Sequence, residues 1–200
     1  MISIEDLNNF FDYQPEIDIT MIEKEKYTIE GIYNLSSSYK DIYLHGKYAL
    51  KIEVPRRYPE MLPQVFNIDG IIPKDFEHFY LEGSFWPCPP MELYLSALEI
   101  GISEFLIKHI DSYLYSATYF IKYNCQFPYG ERSHGLMGIL EFWMEYLNTD
   151  DFGTVYSVLN YISKNSYRGH DLCPCGSRKK VRNCHGSIIL PIFKDSLTHI

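Results

Sequence analysis

Cysteine is scarce along most of this chain: there are five in 200 residues, and three of those fall between positions 173 and 184. An odd, clustered set does not suit a disulfide framework and points instead to metal. Basic residues are outnumbered, 18 Lys and Arg against 26 Asp and Glu, for a formal net charge of -8. A chain of that sign does not draw in phosphate backbones at long range, so nucleic acid is not the expected partner. No apolar run approaches the roughly 20 residues that span a bilayer. The opening Met1-Ile2-Ser3-Ile4-Glu5-Asp6 has neither the basic nor the apolar region of a secretory leader. A soluble, cytoplasmic protein with no membrane partner is expected. Internal repeats and low-complexity tracts are lacking too.

What is present is aromatic and apolar. Tyr numbers 18 and Phe 12, and apolar residues make up 46% of the chain, enough for a substantial core. Ile4, Leu7, Phe10 and Phe11 recur at helical spacing and predict a short N-terminal helix. Residues 27–35 and 42–54 predict a strand pair parted by Ser36-Ser37-Ser38 and a charged turn, with Gly46 expected at a bulge or bend. A third strand is expected over Gln64–Ile68. Between the second and third strands, Pro55, Pro59 and Pro63 predict a rigid crossing loop, with all three outside ladder pairing. Residues 70–90 read as a long loop. Residues 91–123 read as helix, divided near Gly101, with further helices near His134–Leu147 and Phe152–Ser163, the latter capped by Asp150 or Asp151. The fold class is α+β. The expected divisions are a main domain over 1–125, a helical extension over 126–167, and a small metal-binding knuckle and tail over 168–200.

Residues 173–186 read Cys-Pro-Cys-Gly-Ser-Arg-Lys-Lys-Val-Arg-Asn-Cys-His-Gly. The donor pattern is Cys-x-Cys, eight residues, then Cys-His. Zinc takes about four such donors in a tetrahedron, so Cys173, Cys175, Cys184 and His185 are the predicted ligands of a Zn(2+) ion. The first pair is expected on one tight turn, where Gly176 allows unusual backbone angles, and the second on adjacent residues after a short helical stretch. Arg178, Lys179, Lys180 and Arg182 offset thiolate charge. Four protein donors leave no open position, which makes the site structural rather than hydrolytic.

This segment resembles the SEC-C motif, named after the C-terminus of the SecA translocase motor. The resemblance implies a zinc knuckle used as a docking surface for proteins or ribosomes. The stretch Val54-Pro55, Tyr58-Pro59, Pro63 and Val65 resembles the ubiquitin-conjugating-enzyme (UBC-like) fold. That resemblance, together with SEC-C, covers about residues 20–186. It implies an antiparallel meander with flanking helices and Tyr58 packed beneath the crossing. Prokaryotic UBC-like proteins carry a His, a gap, an acidic residue-Gly-Ser, one residue and then the catalytic Cys. Here the matching run is His78-Phe79-Tyr80-Leu81-Glu82-Gly83-Ser84-Phe85-Trp86. Trp86 stands at the thiol's place, and aromatics stand where the family has an Asn.

These residues support three readings. The leading one is a zinc-containing, catalytically degenerate UBC-like module that binds a protein, such as a ubiquitin-like modifier or its activating enzyme. Trp86 is then either packed in the core or exposed as a binding anchor. In the alternative, an active conjugating enzyme uses Cys88 as thioester nucleophile, with His78 as a candidate catalytic partner. The third is a ribosome- or chaperone-associated adaptor acting through the knuckle. The plainer reading of Cys88 is a packed loop thiol and of His78 a loop histidine; Cys125, His134 and His170 are read as ordinary structural residues. The aromatic stripe Tyr113–Tyr123 reads as core.

Overall fold

The structure is a computed structural model that describes residues 1–73, 76, 83–88, 90–124, 133 and 136–194. His78, Phe79, Tyr80, Cys125 and His134 lie outside the described residues. The chain is α+β. Among the described residues it has one four-stranded antiparallel sheet and six α-helices. It divides into two compact units, Met1–Glu131 and Arg132–Ile200. Among the described residues no helix is long and apolar enough to cross a membrane.

The first unit begins with a 3-10 turn, Glu5–Leu7, and α1, Asn8–Tyr13. Strands β1 (Ile17–Ile22), β2 (Lys26–Tyr39), β3 (Ile42–Pro55) and β4 (Gln64–Asn67) follow in the spatial order β1-β2-β3-β4. This is a meander, with β1 added to the strands expected from the sequence. Helices α2 (Pro90–Glu99) and α3 (Ile102–Tyr123) complete the unit. The break between them falls at Gly101, as the spacing predicts.

Strands β2 and β3 pair without a slip from Lys26↔Pro55 to Tyr39↔Ile42. Ser36, Ser37 and Ser38 therefore belong to the strand rather than to a turn. The reversal is made by Lys40 and Asp41 alone, with φ of 45° and 64°. Two positive-φ residues give the primed turn whose twist matches the flanking strands. Gly46 also differs from expectation. It pairs with Leu35 in an unbroken ladder, and the sheet's irregularity lies between Ile19 and Met21 instead. The reason for glycine is space: a Cβ there would sit 2.7 Å from Cε2 of Tyr48. That ring needs the room, because its hydroxyl meets Thr118 Oγ1 of α3 at 2.7 Å.

Pro55 is likewise inside the ladder, as the last residue of β3. Its neighbour Arg56 donates its N–H to Glu25 O at 2.9 Å. Pro55 and Lys26 are thus a non-hydrogen-bonded pair, where β2 asks no N–H of the proline. Past it, Tyr58 is buried beneath the crossing. Its hydroxyl donates to Ile100 O at 2.9 Å and its ring meets Phe105 edge-on at 5.5 Å.

The core forms where the inner face of the sheet meets α3. Tyr27, Ile29, Tyr33, Leu50, Ile52 and Val54 pack with Phe105, Leu106, Ile110, Tyr113, Leu114 and Ala117. Much of the aromatic stripe is core, as expected, but it carries polar anchors. Asp111 accepts from the hydroxyls of Tyr13 and Tyr33, both at 2.7 Å, tying α3 to α1 and β2. Burial holds the Asp111 carboxyl above its usual range, against those two hydrogen bonds.

The second unit holds α4 (Leu136–Tyr146), α5 (Phe152–Lys164), a 3-10 turn at Val181–Asn183 and α6 (Gly186–Lys194). The helical segment and the Cys–His segment share this unit. Asp151 is the cap of α5, accepting from Gly153 N at 3.3 Å and Thr154 N at 2.7 Å.

His109 of α3 lies in the core of the first unit, only 5% exposed, with Nε2 2.9 Å from Ser96 Oγ and its ring 4.6 Å from that of Phe105. Burial, and secondarily the charge of Lys108, push its pKa down to about 4. The unfolded chain therefore takes up this proton at a higher pH than the folded one. The stabilisation from keeping His109 neutral is present above about pH 6.5 and is lost as pH falls toward 4. Denaturant titrations should show stability falling by about 2–3 kcal/mol over that window through this residue. In His109→Gln, which keeps a partner for Ser96 without titrating, that part of the slope should vanish.

Candidate metal centre

The donor cluster is assembled by short-range hydrogen bonds. Val181 N donates to Asp171 O at 2.9 Å and Cys173 N to Lys179 O at 2.8 Å, closing a narrow loop on which Leu172 bridges Lys180. Within it Gly176 N reaches back to Cys173 O at 3.2 Å. Gly176 has φ +76° and open space about its Cβ position, so this glycine serves the turn's backbone angle and not a close contact. The 3-10 turn then brings Cys184 and His185 back to the same place, with Cys184 N donating to Val181 O at 3.0 Å.

Helix α6 starts at once. Ile188 N and Ile189 N both donate to His185 O, at 3.1 and 3.0 Å. A Cβ on Gly186 would stand 2.5 Å from Val181 O and 2.8 Å from Tyr167 Oη. The glycine that ends the motif is therefore required by contact: the chain turns from ligand to helix against the previous turn.

The donor atoms of Cys173, Cys175, Cys184 and His185 all lie within 4.8 Å of one another. Cys173 Sγ is 3.3 Å and Cys184 Sγ 3.4 Å from His185 Nδ1, and Cys175 Sγ is 3.5 Å from Cys184 Sγ. A tetrahedral ion with metal–sulfur bonds of about 2.3 Å and metal–nitrogen bonds of about 2.0 Å spaces its donors roughly 3.5–3.8 Å apart. The four side chains are thus close enough to hold a metal ion. Cys173 is buried, and burial pushes its thiol up to about 11. For Cys175 burial acts in the same direction, but hydrogen bonds from Ser177 and the neighbouring thiols outweigh it and bring the pKa to about 6. Negative charge on sulfurs this close is mutually repulsive, and a cation among them would offset that repulsion.

The imidazole is oriented for the same task. His185 Nε2 lies 3.2 Å from the carbonyl oxygen of Leu147. A carbonyl only accepts, so Nε2 carries the proton, and Nδ1, which faces the sulfurs, keeps its lone pair. Leu147 is 38 positions away and no ligand motif includes it. Ser177 is a second contributor beyond the donors, its Oγ 3.3 Å from Cys184 Sγ. Of the basic residues, Arg182 points its Nη1 at His170 Nδ1, 3.0 Å away. His170 is therefore a partner of Arg182 and stands apart from the donor set.

Among the described residues, the other candidates are not brought into such a cluster. Trp86 is buried, 4% exposed, with Nε1 donating to Pro63 O at 3.2 Å and its ring edge-on to Phe105 at 5.4 Å. Of the two positions open to it, the packed one is adopted, and Trp86 is not an exposed anchor. Phe85, beside it, donates its N–H to Val65 O at 2.9 Å and stacks on Tyr113 with centroids 3.9 Å apart. Cys88 is half-buried and packs against the same core.

No protein-family model, curated protein or solved structure matches this chain.

Because Gly186 has no room for a side chain, Gly186→Ala should displace His185 from the cluster. The expected outcome is a loss of about 1–3 kcal/mol of stability and weakened metal uptake. Thermal unfolding and a cobalt titration of the full chain, compared with the unaltered protein, check both.

Proposed function

We propose that the chain is a zinc-containing, UBC-like protein that has given up transfer chemistry and works as a protein-binding module in the cytoplasm. The observation that carries this reading is the state of Trp86. At the position where the resembled family has its thiol, an indole is sealed into the core with its N–H committed to Pro63 O. Thioester formation needs an accessible thiolate and a nearby space for the acyl group. The antiparallel meander and the buried Tyr58 are compatible with the UBC-like reading. Cys88, two residues on, is half-buried and packs against core side chains. The partner is taken to be a protein, a ubiquitin-like modifier or its activating enzyme being the leading candidates.

Zinc is the metal best suited to three thiolates and one imidazole in a closed tetrahedral set. With four protein donors its role would be to hold the loop and α6 in place. The exposed Arg178, Lys179, Lys180 and Arg182 would then form a basic docking ridge on an otherwise acidic chain.

Protein purified without chelators should carry one zinc per chain by elemental analysis. Incubated with an activating enzyme, a ubiquitin-like protein and ATP, it should form no thiol-reducible adduct, while retaining a host protein in pull-downs. An adduct that disappears in Cys88→Ser but survives Cys125→Ser would replace this reading with an active conjugating enzyme.

A further inference from the structure

The end of α4 is closed in the manner of a Schellman cap. Asn148 is left-handed, with φ 51°. Its N–H donates to Glu145 O at 3.0 Å, and that of Thr149 to Met144 O at 2.9 Å. This closure uses the carbonyls of Met144 and Glu145 and leaves that of Leu147 over. Leu147 is only 1% exposed. A helix-end carbonyl shut away from water is costly unless a donor finds it. Its donor is Nε2 of His185, whose other ring nitrogen faces the three sulfurs. Beside it, Tyr146 Oη donates to Ile188 O at 2.9 Å, joining the last turn of α4 to the first turn of α6.

We propose that the metal centre and α4 form one cooperative element, coupled through the imidazole of His185, with Tyr146 and the Leu147 carbonyl as positioning groups. This rests on the metal-binding reading of the Cys–His cluster. A cation at Nδ1 draws electron density from the ring and makes Nε2–H a stronger donor to Leu147 O. Metal capture thereby locks the end of α4. The coupling is reciprocal: a well-placed α4 holds the ring in the tautomer and orientation that the metal needs. The site is then more than a self-contained knuckle, because its occupancy is felt in a helix that contributes no ligand.

Amide exchange on the full-length chain tests this, with Zn2+ or Co2+ as the probe. Metal loading should slow exchange at the C-terminal cap of α4, Leu147 to Thr149, about tenfold or more, in addition to slowing it in the 171–185 loop. His185→Cys keeps four donors but has no ring N–H. It should still show cobalt–thiolate absorption, while the slowing in α4 falls to about threefold or less. Equal slowing in the two proteins, or bound cobalt with α4 unmoved in the unaltered protein, would overturn the coupling and leave the metal reading standing. Absence of any metal uptake by the unaltered protein would overturn both. If His185→Cys takes up no cobalt, Tyr146→Phe decides. It removes a hydroxyl outside the donor set and should weaken metal affinity about three- to tenfold. Unchanged affinity in Tyr146→Phe would sink the proposal.

Discussion

The hydrogen bond between His185 Nε2 and the Leu147 carbonyl is the constraint on which the second unit turns. It decides which imidazole nitrogen is left with a lone pair. It satisfies a carbonyl that the cap of α4 leaves unused. It also ties the start of α6 to the end of α4 through one ring. Without it the imidazole could rotate or change tautomer, and four donors of the right kind would not present four lone pairs to one point. The loop that carries the cysteines is short, and its own hydrogen bonds set the Sγ positions. The distant element is what disciplines the histidine.

The first unit is organised around a different constraint, the sealing of the sheet's inner face by α3 and the crossing segment. Tyr58, Trp86, Phe105 and His109 form one aromatic group at this seam, in which the Tyr58 hydroxyl is placed on Ile100 O, the Trp86 N–H on Pro63 O and His109 Nε2 on Ser96 Oγ. Aromatic side chains of this size bring large apolar area, and their polar handles remove the usual cost of burying them. A reactive centre at Trp86 is incompatible with such packing.

The two units differ in how their stability is supplied. The first has a continuous core of strands and helix, and depends on apolar burial. The second has fewer buried apolar side chains, and a metal offers what a small core lacks. In the first unit, hydrogen bonds receive the buried carboxyl of Asp111, from Tyr13 and Tyr33, and the buried imidazole of His109, at Ser96.

Much of this was legible from the residues alone. The α+β class, the helix break near Gly101, the capping role of an aspartate before α5 and the four side chains that cluster closely enough to hold a metal ion are all properties of local pattern, set by spacing and by backbone preference. Local pattern erred where a neighbour overrode it. Gly46 looks like a bulge but makes room for Tyr48; Ser36 to Ser38 look like a turn but are carried into the ladder by β3; Pro55 looks excluded from pairing but sits where no N–H is needed. Whether Trp86 would be anchor or core depended on Pro63 and Phe105, and the tautomer of His185 on a carbonyl 38 residues away. The sequence by itself determined the kinds of donor and the order of elements, because those follow from short-range chemistry. Only the tertiary structure decided which side chains share a site and which atom of each is presented, because those depend on contacts between segments far apart in the chain.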